Sequence, residues 1–306
     1  MAGNISSEPA RARLSRGVAN WAGVGAILLW SLLALLSVGA APVPPLQLNA
    51  MVFSIGAVPG LIWAWRQGGF RMLRGIGWQV YAFGIAGLFG YHTLYFAALR
   101  LAPPAEAGLV AYLWPLLIVL MSGLLPGERL RPAHMAGAVL GLAGAGLIML
   151  RALPAAGSGW PAGTLAGYGL ALACAITWSG YSVLSRRLGH VPTAAVLVFC
   201  LGTAALSLPL HLAFEPTRWP DSWTGWAAIV GLGLGPVGLA FYLWDLGMKH
   251  GDIQLLGVAA YAAPILSTLA LVASGLAEPQ LTLFLAAALV AAGAFIAGRA
   301  SVERKV

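Results

Sequence analysis

Tyr112-Leu113-Trp114-Pro115 returns about 149 residues later as Tyr261-Ala262-Ala263-Pro264, and that recurrence decides how the chain is organised. Working outward from it, other positions recur at nearly the same offset. Trp30-Ser31 returns as Trp178-Ser179, Pro59 as Pro209, Gly84 as Gly233, Arg100 as Lys249, and Gly127-Glu128 as Ala277-Glu278. Each half carries five long apolar segments. Five is odd, so the second copy enters a membrane from the side opposite to the first, an arrangement that many secondary transporters use.

Composition supplies the membrane. Hydrophobic residues make up 60% of the chain and charged residues 8%, with a mean hydropathy of +0.85. That leaves too little polar surface to cover a soluble globule of this size. Apolar runs of about 18 to 25 residues cross a bilayer as helices. Ten lie near 17–38, 45–65, 75–99, 104–125, 133–150, 163–185, 193–214, 223–248, 252–275 and 280–298. The predicted fold is all-α and integral to the membrane, with ten transmembrane helices arranged as two inverted five-helix repeats. Residues 1–16 read as a cytoplasmic basic tail, 17–150 as the first repeat, 151–162 as an external Gly/Ala/Pro-rich linker, 163–299 as the second repeat and 300–306 as a cytoplasmic tail.

A formal net charge of +8 suggests nucleic acid in a soluble protein, but here the basic residues mark topology. With the N-terminus inside, Arg11, Arg13, Arg16, Arg66, Arg71, Arg74, Arg129, Arg131, Arg186, Arg187, Lys249, Arg299, Arg304 and Lys305 are cytoplasmic. Only Arg100, Arg151 and Arg218 of the 17 Lys and Arg residues lie outside. Both termini are therefore expected in the cytoplasm, the expected location is the cytoplasmic membrane, and no nucleic-acid partner is expected. Basic residues ahead of the first apolar run, with Val38-Gly39-Ala40 after it, also outline a cleavable signal sequence. The repeat opposes cleavage, because span one is the counterpart of span six.

Ionisable groups within the spans are scarce. Span one has no acid, and the only intramembrane carboxylates are Glu106 and Asp245. Asp245 stands four residues before Lys249, a helical ion-pair spacing. Glu106 follows Pro103-Pro104, where a first-turn carboxylate complements the helix dipole. No Lys or Arg falls mid-span, which argues against phosphorylated substrates, whose anions need fixed cations. Cys174 and Cys200 stand singly without metal spacing, and neither a metal nor a cofactor is expected. Ser179 lacks the Gly-x-Ser-x-Gly elbow of a hydrolase, so an enzyme is not expected.

The spans are instead rich in aromatic residues. Trp30 lies in span one, Tyr91, His92 and Tyr95 in span three, and Tyr112 and Trp114 in span four. Trp178, with Ser179 beside it, and Tyr181 lie in span six, Tyr242 and Trp244 in span eight, and Tyr261 in span nine. Interfacial belts account for Trp21, Trp63, Trp65, Trp78, Trp160, Trp219, Trp223 and Trp226 near span ends. Trp30, Trp114 and Trp178 are close to mid-span, where an indole N–H needs an interior cavity or another helix. Pro115 and Pro264 deny a donor to the carbonyls of Ala111 and Ala260, and these prolines are candidate hinges. Gly137 and Gly141, matched by Ala287 and Ala291, form a small-residue face for packing spans five and ten or for a homodimer.

Leu29-Trp30-Ser31, Thr177-Trp178-Ser179, the two Tyr-x-x-Pro turns, Gly127-Glu128 and Glu278 together resemble the EamA family of the drug/metabolite transporter superfamily over almost all of 17–299. The resemblance implies a basket of helices around a central cavity, with spans three, four, eight and nine beside it and spans five and ten outside. Tyr91-His92 and Trp114 are similar to the branch that exports aromatic and other neutral amino acids. At the repeat-related positions Phe241 replaces His92 and Ala263 replaces Trp114, so the implied site is asymmetric. An uncharged, ring-lined cavity suits a neutral zwitterion with a large apolar side chain.

Reporters fused after Arg74, Arg187 and Val306 are expected to read cytoplasmic, and reporters within 39–45, 151–162 and 215–222 external. A cytoplasmic signal from 151–162 would overturn the inverted topology.

Overall fold

The computed structural model describes residues 14–66, 69–102, 104–150, 163–275 and 281–302. The expectations placed on residues 1–13, the 151–162 linker, Glu278 and residues 303–306 lie outside that set. Most of the described residues are helical, with no strand among them. Helix α1 (Arg16–Trp30) starts where the Ser15 hydroxyl accepts the Val18 N–H, an N-cap. After a turn at Ser31-Leu32 the chain continues as α2 (Leu33–Gly39). Then come α3 (Pro45–Arg66), a short α4 (Arg71–Arg74), α5 (Trp78–Leu101), α6 (Pro104–Ala111), α7 (Trp114–Ser122) and α8 (Pro132–Leu150). The second half follows with α9 (Thr164–Ser185), α10 (Val196–Phe214), α11 (Trp223–Leu234), a π-helical turn at Gly235–Leu239, α12 (Ala240–His250), α13 (Ile253–Ala259), α14 (Ala262–Ala273) and α15 (Leu281–Val302). Arg16–Gly39, Pro45–Arg66, Trp78–Leu101, Thr193–Phe214 and Trp223–His250 are each long and apolar enough to cross a membrane. Shorter apolar helices lie at Pro132–Leu147, Ile253–Ser267 and Phe284–Ala300.

Several helical stretches are interrupted, and each interruption has a local cause. Pro115 and Pro264 sit in the first turn of α7 and α14, where a missing N–H costs nothing and the ring bars a helix from running through. The helix therefore stops at Ala111 and at Ala259 and restarts after two intervening residues, at Trp114 and at Ala262. This differs from a simple mid-helix kink. In the second break the Ala260 carbonyl accepts the Ala263 N–H at 3.1 Å, so the turn itself gives it a partner. In the first, the Leu116 N–H would bond to the Tyr112 carbonyl in a continuous helix. It donates to the Tyr261 hydroxyl at 3.0 Å instead. The Gly-rich stretch of span eight becomes the π-turn, where Gly238 lies against Gly56 of α3 closely enough that a Cβ at Gly56 meets the Gly238 Cα at 3.2 Å.

Packing follows the repeat. Helix α3 packs on α10 and α8 on α15, while α5 packs on α9 as α1 does on α12, and α5 on α10 as α11 does on α3. Exchanging the halves, α1 for α9, α3 for α10, α5 for α11–α12 and α8 for α15, maps the α3–α10 and α8–α15 contacts onto themselves and the others onto one another. Repeat-related glycines serve repeat-related contacts. Gly84 of α5 lies against the Phe199 ring of α10, and Gly233 of α11 lies against Ile55 of α3.

The small-residue face of α8 is used within the chain. A Cβ at Gly137 meets the Gly293 carbonyl oxygen of α15 at 2.6 Å, one at Gly293 meets the Gly137 oxygen at 2.5 Å, and one at Gly144 meets the Ala286 oxygen at 2.8 Å. These obstacles are backbone and cannot swing aside. Gly293→Val is expected to destabilise the protein by about 1–3 kcal/mol, the usual cost of overpacking, read as a lower midpoint in thermal unfolding of the detergent-solubilised protein. Gly146→Ala, where nothing lies within 4 Å, is expected to leave the midpoint unchanged or raise it. Equal losses at both positions would refute the close-contact account.

Candidate functional site

The breaks and the glycine contacts bring aromatic side chains from five helices to the middle of the molecule. Trp30 of α1 meets Trp178 of α9 with ring centroids 5.7 Å apart, Trp114 of α7 at 6.2 Å, Trp244 of α12 at 5.0 Å and Phe241 of α12 at 6.1 Å. Trp114 also lies 6.3 Å from Trp178 and 6.0 Å from Trp244, both edge-on, the arrangement ring quadrupoles favour. Tyr91 of α5 joins through Trp178 at 5.4 Å and stacks on Tyr95, one helical turn along, at 6.1 Å with planes 4° apart. Tyr181 lies 5.4 Å from Trp178 on its far side and packs against Gly87 and Phe83.

His92 faces the same core. Its Nδ1 is 2.7 Å from the Leu88 carbonyl, which only accepts, so Nδ1 carries the proton and Nε2 is left as an acceptor. The ring contacts Phe53 at 5.0 Å, Tyr91 at 5.1 Å and Phe241 at 6.3 Å. His92 and Phe241 are repeat mates, as are Trp30 and Trp178, and both pairs meet at this centre.

Hydrogen bonding divides the polar ring groups into two sets. The Trp30 indole donates to the Pro236 carbonyl in the π-turn at 3.0 Å, and Trp244 donates to the Ser182 hydroxyl at 3.0 Å. The indole N–H groups of Trp114 and Trp178 have no hydrogen-bond partner among the described residues, although each side chain is only 4% exposed, and the Tyr91 and Tyr95 hydroxyls have none either. These four donors, with the Tyr112 and Tyr181 hydroxyls and with His92 Nε2 as an acceptor, are uncommitted polar groups of an otherwise apolar, uncharged core. No group of His, Cys, Asp and Glu among the described residues could hold a metal.

Four predicted residues stand apart from this set. Tyr242 is fully buried on the other face of α12, donating to the Gly56 carbonyl at 3.2 Å and stacking on Trp63. Tyr261 is buried among Ala145, Ile265 and Val290 at the α8–α15 side, where it accepts the Leu116 N–H. Tyr112 bridges, touching Trp114 at 6.2 Å while packing on that same outer cluster. The single Ser179 hydroxyl proton is shared between the Trp114 carbonyl at 2.9 Å and the Ala175 carbonyl at 2.7 Å, so it links α9 to the start of α7. The sequence reading missed Phe53, whose ring lies 5.7 Å from Phe241 with planes 16° apart, and Phe96 beside His92. A signal was present for Phe241, as the repeat counterpart of His92; none marked Phe53 apart from any buried core phenylalanine.

Ion pairs fasten one end of the bundle. Arg16 meets Asp252 at 2.6 Å, and Asn20 accepts the Asp252 N–H. Arg186 pairs with Glu128 at 2.9 Å and donates to the Met248 and Gly251 carbonyls. Lys249 pairs with Asp245 at 2.8 Å, as the helical spacing indicated, and Thr193 donates to the same carboxylate. At the opposite end Glu215 accepts from the Leu46 and Gln47 amides at the start of α3 and from Arg100 at 3.1 Å.

The sequence matches the model of the EamA-like transporter family over residues 18–150 and 165–299. It is 55% identical over 285 residues to the aromatic amino acid exporter YddG of Ancylobacter novellus, covering 93% of this chain and 98% of that one. It is 25% identical to the aromatic amino acid exporter YddG of Escherichia coli K12 over 204 residues, 61% of this chain and 64% of that one. A solved crystal structure that is 53% identical in sequence superposes with a TM-score of 0.89, covering 95% of this chain and 100% of the other.

Proposed function

Since this chain belongs to the EamA-like transporter family, we propose that it exports aromatic and other large neutral amino acids across the cytoplasmic membrane by alternating access. The observation that carries this reading is the set of uncommitted donors at Trp114, Trp178, Tyr91 and Tyr95 around an aromatic core without charge. A flat apolar side chain finds ring faces there, a carboxylate finds N–H and O–H donors, and an ammonium finds His92 Nε2 as acceptor. The 55% identical relative, named as an aromatic amino acid exporter, supports the same substrate class and the outward direction. No cofactor enters the scheme.

The architecture we assign is ten membrane-crossing helices in two inverted repeats, with both termini cytoplasmic. Four facts support it: the packing scheme survives exchange of the halves, the repeat mates Trp30 and Trp178 touch, His92 and Phe241 touch, and the family match falls into two segments. In this orientation Arg16–Asp252, Arg186–Glu128 and Lys249–Asp245 fasten the cytoplasmic end. Admission of substrate from inside then requires those contacts to part, with the breaks before Pro115 and Pro264 as hinges.

Counterflow in proteoliposomes preloaded with phenylalanine or tryptophan tests the assignment. Exchange is expected for the wild type, with Trp114→Ala and Trp178→Ala lower by about tenfold, the scale of a lost ring contact. Trp223→Ala, at a position 82% exposed, is expected to match the wild type. Flux of a cationic dye or a sugar phosphate with none of any amino acid would overturn the substrate class.

A further inference from the structure

Trp30 stands at the centre of the ring cluster, and the surroundings of its side chain have the form of a ligand site. Its ring meets Trp114, Trp178, Trp244 and Phe241 with centroids 5.0 to 6.2 Å apart, and its indole N–H donates to the Pro236 carbonyl at 3.0 Å. The π-turn changes what that carbonyl receives. In an α-helix it takes the Ala240 N–H, four residues on; here the Ala240 N–H reaches the Gly235 carbonyl, one residue further back. The repeat gives the contrast. At the offset of about 149 residues Pro236 corresponds to Gly87, which lies inside the uninterrupted helix α5. Trp178, the repeat mate of Trp30, has an indole N–H without a partner among the described residues. Trp30 is also placed to move. It is the last residue of α1, directly before the break at Ser31-Leu32, and it is half-buried where Trp114, Trp178 and Trp244 are buried.

An aromatic ring enclosed by other rings, with an N–H donor seated on a backbone carbonyl of an irregular helix, matches the chemistry of an aromatic amino acid, a ring joined to an ammonium. We propose that the Pro236 carbonyl is an ammonium-binding group of the transport site and that Trp30 holds its place, giving up both the ring space and the carbonyl when an amino acid enters. This assignment rests on the export reading above. Exchange of donors favours the substrate, because an ammonium N–H makes a charge-assisted hydrogen bond, roughly twice as strong as one between neutral groups. The carbonyl keeps a donor throughout, as a backbone group inside a membrane must. Phe241 touches both Trp30, at 6.1 Å, and His92, at 6.3 Å, so the Pro236 carbonyl and His92 Nε2 border the same ring and divide the three N–H groups of one ammonium. A compound with the ring and the carboxylate but no ammonium lacks the means to displace the Trp30 N–H.

Equilibrium binding of phenylalanine and of phenylpropionate, which lacks the ammonium, to the detergent-solubilised protein tests it. Benzothienylalanine in place of Trp30 keeps a bicyclic ring of the same shape and puts sulfur where the N–H was; Trp30→Phe removes the N–H with a smaller ring. Both variants are expected to bind phenylalanine about fivefold more tightly than the wild type, the weight of one neutral hydrogen bond no longer competing, and phenylpropionate no more tightly. Trp178→Phe removes an uncommitted donor and is expected to act in the opposite sense, weakening phenylalanine. Equal gains for the two ligands would mean that Trp30 only occupies space, and phenylalanine binding unchanged or weakened by benzothienylalanine would remove the carbonyl from the site; either result overturns the proposal. Counterflow by the wild type separates the two readings. Phenylalanine exchange together with either of those results sinks only the Pro236 assignment, whereas no exchange of any amino acid sinks the transport reading and this assignment with it.

Discussion

A backbone polar group in hydrocarbon has no water to turn to, and leaving it unmade costs several kcal/mol, so every helix break in this chain has to carry its own partner. That constraint organises the interior. Ser31 returns its hydroxyl to the Leu28 carbonyl beside the break in the first span, Trp30 covers the Pro236 carbonyl in the π-turn, and Tyr261 takes the Leu116 N–H beside the break before Pro115. Ser179 covers the Trp114 carbonyl. Residues that look like substrate ligands in a list of intramembrane polar groups are thus divided by whether a break needs them.

The division explains the asymmetry of the core. Repeated halves give repeated breaks, but the partner of a break need not be repeated. Tyr261 accepts the Leu116 N–H at the break in the first half, while at the break in the second half the Ala260 carbonyl accepts the Ala263 N–H of its own turn. Replacement of His92 by Phe241 and of Trp114 by Ala263 then places the uncommitted donors mostly on α5, α7 and α9. One side of the core hydrogen-bonds and the other side supplies ring surface.

Much of this was legible in the sequence. The ten apolar runs correspond to the helical stretches within a few residues, because burial in lipid demands uniform hydrophobicity and leaves little ambiguity of period. The Trp-Ser and Tyr-x-x-Pro recurrences located the central tryptophans and the breaks, and Asp245 and Lys249 pair as their spacing requires. What spacing could not reveal was direction around a helix that is apolar on all sides. Tyr242 and Trp244 are two residues apart and both buried, yet one faces Gly56 and the other Trp30, and no hydrophobic stripe separates the two faces. Phe53 was invisible for the same reason. The Gly-Pro run of span eight signalled irregularity but not its form, a π-turn set by the close approach of Gly238 to Gly56.

Movement in such a bundle is limited by which contacts are backbone and which are side chain. At α8 and α15 the obstacles are carbonyl oxygens that leave no room for a Cβ at Gly137, Gly144 or Gly293, so this pair has little slack. At the fastened end the contacts are ion pairs and a few hydrogen bonds from Arg186, Asp252 and Lys249, which water can replace one by one as the helices part. At the core, rings meet edge-on at about 5 to 6 Å and can slide past one another without exposing a polar group. A rigid outer pair, an exchangeable ionic fastening and a centre of sliding rings therefore leave the broken helices α6–α7 and α13–α14, each already interrupted, as the segments whose displacement costs least.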